Sequence, residues 1–163
     1  MSDTERIRYF NDMLARFEEL LYHELSATAH KKVEMVGIDF IQSKQIQGKT
    51  IEEIIDHCMG EIISGGIVKD MKYTIHGDGI LIKFEVDGCI HIPKETKIRN
   101  DGATPYFCPI ANMIGDRIID ILNYEVVYLA NMDIDEKKRK CIVKYAVFET
   151  PEKIGQVSDW TRI

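Results

Sequence analysis

With 163 residues, 45% of them apolar and 29% charged, the sequence predicts a single domain over residues 1–163 with one sizeable core. The net charge is −6 and the longest basic run is residues 137–140, so the sequence lacks the clustered basic face that nucleic-acid binding needs. No segment approaches the roughly 20 apolar residues of a membrane span, and the first 30 residues do not have the pattern of a signal peptide. We therefore expect a cytoplasmic protein without a membrane partner, whose cysteines stay reduced.

The first predicted element is a long helix over residues 2–32. Ser2 and Glu5 have the spacing of a capping box, in which each side chain accepts from the other residue's backbone N–H. A helix of this length is more than a small domain usually covers by itself, so we predict a homodimer through the helical region 1–49. The alternative is a monomer whose helix packs across its own sheet. The apolar stripe at helical spacing consists of Ile7, Phe10, Leu14, Phe17, Leu21, Leu25 and Thr28.

The next region is ambiguous, because residues 33–49 fit either a short extended segment or more helix. Thr50 then opens a second helix, with Glu53 in the capping-box position. Two glycines, Gly65 and Gly66, end this helix with the left-handed conformation that a C-cap requires.

Alternating side chains predict a hairpin with strands over residues 71–76 and 80–87 and a glycine-rich turn between them. Residues 88–102 are rich in charge and are expected to form a long polar loop, and such loops are often functional.

A third helix is predicted to begin at Thr104-Pro105, with the proline at the first helical position. A second hairpin over residues 125–132 and 139–150 completes an α+β core at 50–150, followed by a tail at 151–163. Strands arrive in antiparallel pairs, so the predicted fold is α+β, with a sheet of two hairpins packed against helices.

The strongest candidate chemistry lies in three cysteines and a histidine: Cys89, His91, Cys108 and Cys141. Thiolate and imidazole are ligands that Zn²⁺ prefers, and four of them close a tetrahedral structural site. The alternative is plain core packing, because cysteine is among the most buried residue types. Cys58 lies among isoleucines at helical spacing and is assigned to the core.

Catalytic motifs are missing from the sequence. It has no Walker loop, dinucleotide-binding glycine motif, serine-hydrolase elbow or HExxH helix, so no catalytic residue, flavin or nicotinamide is predicted. A nucleophile pair of Cys108 and His91 is conceivable, yet no third residue stands out to orient it.

The last hundred residues resemble the 4-vinyl reductase domain family, a small-molecule or hydrocarbon-binding module of bacteria and archaea. The matching runs are residues 84–91, 107–115, 126–133 and 141–149. Members of that family carry a cysteine near the start of a helix with a glycine one or two turns on, and a last strand opened by another cysteine. Cys108, Gly115 and Cys141 are similar to these positions.

The resemblance implies a structural zinc, held by cysteines and an acidic residue, beside a buried pocket. Cys108 and Cys141 match that set, but the family's Glu-x-x-Cys before the last cysteine is replaced here by a stretch with Asn131 and Asp133. Asp133 is therefore an alternative ligand, and Cys89 with His91 would complete a Cys₃His site. The wider fold group includes heme–nitric-oxide domains, but the sequence lacks their heme-binding pattern and no heme is expected.

The resulting prediction is a sensory or carrier domain that binds a small apolar molecule next to a metal site. The alternatives are an accessory subunit of a tetrapyrrole vinyl reductase, which would need an outside source of hydride or electrons, and a scaffold or tether without a ligand. The candidate pocket residues are Met59, Ile63, Phe84, Met113, Ile114 and Tyr128.

Overall fold

The structure, a computed structural model, describes residues 2–25, 29, 33–76 and 81–152, and of residues 126–130 it describes the backbone alone. The elements in chain order are α1 (Asp3–Leu25), α2 (Ile38–Gln42), α3 (Ile51–Ser64), β1 (Asp70–His76), β2 (Leu81–Asp87), α4 (Ile92–Asn100), α5 (Pro109–Leu122), β3 (Val126–Asp135) and β4 (Lys140–Phe148).

The strands form one antiparallel sheet in the order β1-β2-β4-β3. Two hairpins lie side by side, joined where β2 pairs with β4, and Phe84 in β2 lies opposite Tyr73 on one neighbour and Val143 on the other. The basic run 137–140 begins in the turn of the second hairpin. The fold is α+β, which confirms the predicted class.

One face of the sheet packs against helices α3 and α5 and forms the main core. In β4, Cys141, Val143 and Tyr145 alternate with more exposed residues, so their side chains share the covered face. Full burial of such a side chain stabilises the fold by about 1.5–3 kcal/mol. The buried members of this core include Ile54, Ile55, Cys58, Ile62, Phe84, Met113, Ile114 and Ile118.

The predicted starts of the first two helices are confirmed in their main features. The Ser2 N–H donates to the Glu5 carboxylate at 2.6 Å, and the Glu5 N–H donates to Ser2 Oγ at 3.3 Å. At α3, Thr50 Oγ1 accepts from the Glu53 N–H at 3.3 Å, while the Glu53 carboxylate accepts from the Lys49 N–H at 2.7 Å instead of from Thr50. Gly66, with φ at 70°, supplies the left-handed residue after α3.

Two predictions between the hairpins were wrong. Residues 88–102 are not one loop, because they contain α4, a polar helix with Pro93 in its first turn and a Lys97–Asp101 pair at 3.0 Å in its last. The next helix begins at Pro109 and not at Pro105. The Tyr106 N–H donates to the buried Glu18 carboxylate at 3.0 Å, which ties the preceding segment to α1 outside any helix.

The remaining local predictions have mixed outcomes. The ambiguous region 33–49 contains the short helix α2. The described part of the chain leaves out residues 26–28 and 30–32 of the predicted long helix, the predicted turn at 77–79 with residue 80 after it, and residues 153–163 of the tail. None of the helices that the structure describes is long and apolar enough to cross a lipid bilayer.

Helix α1 does not bury the apolar stripe that its sequence pattern predicts. It packs against α4, and its buried residues are Asn11, Ala15 and Glu18. Of the predicted stripe, Phe10 and Phe17 are 61% and 63% exposed. Leu14, Leu21 and Leu25 are partly buried against a second, smaller apolar cluster that contains Val33, Tyr106 and Phe107.

The contact between α5 and β4 gives a stability prediction. A Cβ at Gly115 would overlap the buried Tyr145 hydroxyl, so we expect Gly115→Ala to lower the free energy of unfolding by about 1–3 kcal/mol. Gly60→Ala in α3 is the matched control, because a Cβ there meets nothing within 4 Å, and it should raise stability by about 0.5–1 kcal/mol. Urea denaturation measures both. Equal effects of the two substitutions would contradict the described packing of α5 on β4.

Candidate functional site

The three predicted thiol ligands come from three elements. Cys89 follows β2, Cys108 is the N-cap of α5, and Cys141 lies in β4, and each is at most 6% exposed. Burial raises the pKa of Cys141 far above its ordinary value, and the nearby Cys108 and Cys89 raise it further. The three thiols are therefore within electrostatic range of one another, in one buried region where α4 and α5 begin.

The thiols are protonated at neutral pH in this arrangement. Burial, with a smaller effect of Cys108, raises the pKa of Cys89 to about 12, although its sulfur accepts the His91 N–H at 3.3 Å. Burial, with a smaller effect of Glu95, raises the pKa of Cys108 to about 11, and the N–H groups at the start of α5 offset only part of that rise. Ionising these thiols requires a cation to replace the protons.

His91 lies beside Cys89, with 3.7 Å between its Nδ1 and the cysteine sulfur. Burial, assisted by the positive charge of Lys94, lowers the pKa of His91 to about 4, so its imidazole is neutral at pH 7. A neutral imidazole next to a protonated thiol does not form the thiolate–imidazolium pair of a cysteine nucleophile. The pair suits a ligand role better than a catalytic one.

A carboxylate that the sequence did not single out lies within electrostatic range of these thiols. Glu95 in α4 is 3% exposed, and its Oε2 atom has no hydrogen-bond partner among the described residues. Once ionised, its carboxylate contributes to the raised pKa of Cys89, Cys108 and Cys141 alike. A buried acceptor without a partner is costly, and beside three thiols it is a candidate fourth ligand.

The Glu95 carboxylate is held by a buried ion network. Lys94 Nζ lies 2.7 Å from Glu95 and 2.6 Å from Glu18 of α1, and it donates to the Phe107 carbonyl at 3.3 Å. The same ammonium is 4.0 Å from the centre of the Phe107 ring. One ammonium between two carboxylates leaves one negative charge uncompensated. Burial is the main reason that the pKa of Glu95 is raised to about 8, so Glu95 is the carboxyl that keeps a proton at neutral pH.

The predicted metal ligands do not form a finished site in this structure. Among the described residues, no three or more His, Cys, Asp and Glu side chains are grouped so that they could hold a metal ion. Asp133 is exposed on β3, where its neighbour Ile134, and not Asp133 itself, lies opposite Cys141. Asp133 is therefore a poor alternative ligand, because successive side chains on a strand point to opposite faces.

The predicted pocket residues lie within the packed core. Phe84, Met113 and Ile114 are fully buried, and Met59 and Ile63 pack against the same core. The Tyr128 side chain lies outside the described part of the structure. Five clefts that the described residues form are lined by other side chains.

A cleft of about 540 Å³ lies instead between α1, residues 101–106 and β3. It borders the ion network, because Glu18 and Tyr106 are part of its wall. The side chains that line it are both polar and apolar, and they include Tyr22, His23, Ile98, Asp101, Ala103 and Met132.

Comparisons with models of protein families, with curated proteins and with solved structures found no match. The resemblance to the 4-vinyl reductase domain family therefore stays a prediction from the sequence.

The sequence did carry one signal for the missed residues. Lys94 and Glu95 follow Pro93 and lie between Ile92 and Ile98, and a proline near the start of a helix is favourable. Recognising α4 would have shown that a lysine and a glutamate share a helix with two apolar residues. The burial of both side chains depends on Glu18, which pairs with Lys94 from 76 residues away.

The raised pKa of Glu95 predicts how stability depends on pH. The folded chain holds this proton up to about pH 8 while the unfolded chain loses it near 4.5, so the free energy of unfolding should fall by about 1.5 kcal/mol between pH 6.5 and 8. His91 acts in the opposite direction, but only below pH 6.5. Urea titrations with a chelator present should show this fall, and Glu95→Gln should flatten it. The control is Glu85→Gln, at an exposed glutamate, and this substitution should leave the fall in unfolding free energy unchanged. A Glu95→Gln profile identical to that of the parent would contradict the assignment.

Proposed function

We propose that the chain is a non-catalytic binding domain with a structural zinc ion held by Cys89, Cys108, Cys141 and Glu95. The observation that supports the proposal is that three buried thiols lie within electrostatic range of a buried carboxylate whose second oxygen has no described partner. Thiolate and carboxylate are both accepted ligands of Zn²⁺. A cation at this point would satisfy the Glu95 oxygen and remove the cost of burying it unpaired.

Metal binding requires the donor side chains to rotate towards a common point, because as described they are not grouped closely enough to share an ion. It also displaces protons from three thiols and from Glu95, so the affinity should rise with pH. The Lys94 ammonium, 2.7 Å from Glu95, would offset part of the added negative charge. His91 is the alternative fourth ligand, because it already lies 3.7 Å from the Cys89 sulfur.

The proposed ion has a structural role. It would join the end of β2, the start of α5 and the inner face of β4, three segments that are distant in sequence. The cysteines are compatible with that role, because all four lie in the described residues as free thiols. A reducing compartment such as the cytoplasm, which we propose as the location, keeps thiols in this form.

We propose the 540 Å³ cleft, and not the packed core, as the place where a small molecule binds. Its volume is within the range of about 300–1,000 Å³ that is usual for ligand sites. Its wall combines apolar side chains such as Ile98 and Met132 with polar ones such as Asp101, which favours a partly polar ligand. The described residues add no observation in favour of a reductase subunit or of a tether without a ligand.

Zinc content tests the proposal. Protein purified without chelator should carry one zinc ion per chain in native mass spectrometry, and Cys108→Ala should abolish it. Cys58→Ala is the matched control, because Cys58 is also buried but its pKa is affected by the charges of Arg117 and Asp116 and not by the other cysteines or Glu95, and this variant should keep its zinc. Circular dichroism establishes that each variant is folded.

Glu95→Gln distinguishes the two fourth ligands. It should weaken zinc binding at least tenfold in a competition titration, while His91→Ala should change it little. The reverse order would replace Glu95 by His91 in the ligand set. Equal zinc content in the Cys58 and Cys108 variants, or none in the parent chain after zinc addition, would overturn the site.

The cleft gives a separate prediction. Ala103→Trp should fill it, and indole, used as a partly apolar probe, should then lose its saturation-transfer NMR signal. Met35→Trp is the control, because Met35 is 70% exposed and does not line the cleft. An indole signal that persists in Ala103→Trp would show that the probe binds elsewhere.

A further inference from the structure

The outer face of α1 carries an exposed apolar surface, which we call the α1 ridge. Its five side chains are Tyr9, Phe10, Met13, Phe17 and Leu20, and they are 54%, 61%, 36%, 63% and 58% exposed. They recur at helical spacing and lie opposite the buried Asn11, Ala15 and Glu18. The helix therefore turns polar residues towards the domain and aromatic residues away from it.

This inversion has a physical cause on the inner side. Asn11 donates to the Ile90 carbonyl at 2.9 Å, and Glu18 accepts from Lys94 at 2.6 Å and from the Tyr106 N–H at 3.0 Å. These bonds fix the rotation of α1 about its axis. The ridge cannot turn inward without breaking the bonds of Glu18 to Lys94 and Tyr106, so it needs a cover from outside.

We propose that a second copy of this chain covers the α1 ridge, with the two α1 helices antiparallel. The ridge is shaped for such a contact, because Tyr9, Met13, Phe17 and Leu20 surround a shallow groove of about 310 Å³ beside the projecting Phe10. A two-fold axis near the middle of α1 brings the groove of each copy against the aromatic side chains of the other.

Charges at the ends of the ridge select the antiparallel arrangement. Arg6 and Glu24 lie in line with the ridge, nine residues before and nine residues after Ala15, and both are exposed. About an axis at Ala15, Arg6 meets Glu24 of the partner subunit at both ends. In a parallel pair, Arg6 would face Arg6 of the partner subunit, and Glu24 would face Glu24 of the partner subunit. Both contacts would be repulsive.

The area agrees with a dimer. Large apolar side chains have on the order of 200 Å² each, so the exposed half of five such side chains gives roughly 500 Å² per copy. A symmetric pair would bury roughly 1,000 Å² from these residues alone, near the lower bound for a specific interface. The flanking charged side chains add to this area. The inference does not depend on the proposed zinc site.

Light scattering after size exclusion tests the proposal at tens of micromolar. The chain should elute with twice its mass of 18.8 kDa, and Phe17→Glu should convert it to a monomer with an unchanged circular dichroism spectrum. Met35→Glu is the matched control, since Met35 is 70% exposed but lies outside α1, and it should remain dimeric. If Phe17→Glu does not fold, Phe10→Glu serves as the second variant.

Exchange of the end charges tests the orientation. Arg6→Glu and Glu24→Arg should each weaken dimerisation several-fold, and the combination should restore it. A monomeric parent chain overturns the proposal. A monomer that sediments with phosphatidylcholine vesicles also overturns it, because lipid and not a second copy would then cover the ridge. A dimer that persists in both Phe10→Glu and Phe17→Glu also overturns the proposal. So does weaker dimerisation in the combined Arg6→Glu and Glu24→Arg variant than in either single variant.

Discussion

The arrangement of the site depends on one buried ammonium held between two carboxylates. Lys94 joins Glu18 of α1 to Glu95 of its own helix α4 and donates to the Phe107 carbonyl ahead of α5. Removing one partner of such a buried pair typically costs about 3–5 kcal/mol, because the remaining charge stays buried without compensation. Through these contacts, Lys94 fixes α1, α4 and the start of α5 relative to one another. It thereby brings Cys89 and Cys108, which flank α4, into the same buried region.

The same network explains both unusual features of the molecule. On the inner side, burial and the second carboxylate, Glu18, leave Glu95 with a raised pKa and a spare oxygen near three thiols. On the outer side, the bonds to Glu18 fix α1 with its aromatic residues in solvent. The proposed zinc ligand Glu95 and the proposed dimer helix α1 are thus linked through a single side chain, Lys94. A change of charge at Glu95 acts directly on the ion pair that fixes α1.

Much of the fold could be predicted from the sequence because its signals are local. The capping box at Ser2, the Gly65-Gly66 helix end and the strand alternation around Phe84 each depend on residues a few positions apart. Helix α4 was missed because it lacks an apolar period and its burial depends on Glu18, far away in the sequence. The inner face of α1 was missed because the burial of Asn11 and Glu18 also depends on partners that are distant in the sequence.

The site could be predicted only in part. Three cysteines in a chain expected to stay reduced suggested a cluster, and the structure places all three in one buried region. Glu95 gave no such signal, because a glutamate in a charged stretch resembles any surface residue until its partners are known. The predicted pocket residues could not be separated from core residues, since Phe84 and Met113 have the same apolar pattern whether they line a cavity or fill one.

X-ray absorption at the zinc edge, on the zinc-loaded full chain, decides whether three thiols and Glu95 hold the ion, because it counts the atoms bound to zinc. We expect three sulfur neighbours near 2.3 Å and one oxygen near 2.0–2.2 Å. A shell made only of nitrogen and oxygen, or one with fewer than three sulfurs, would contradict it.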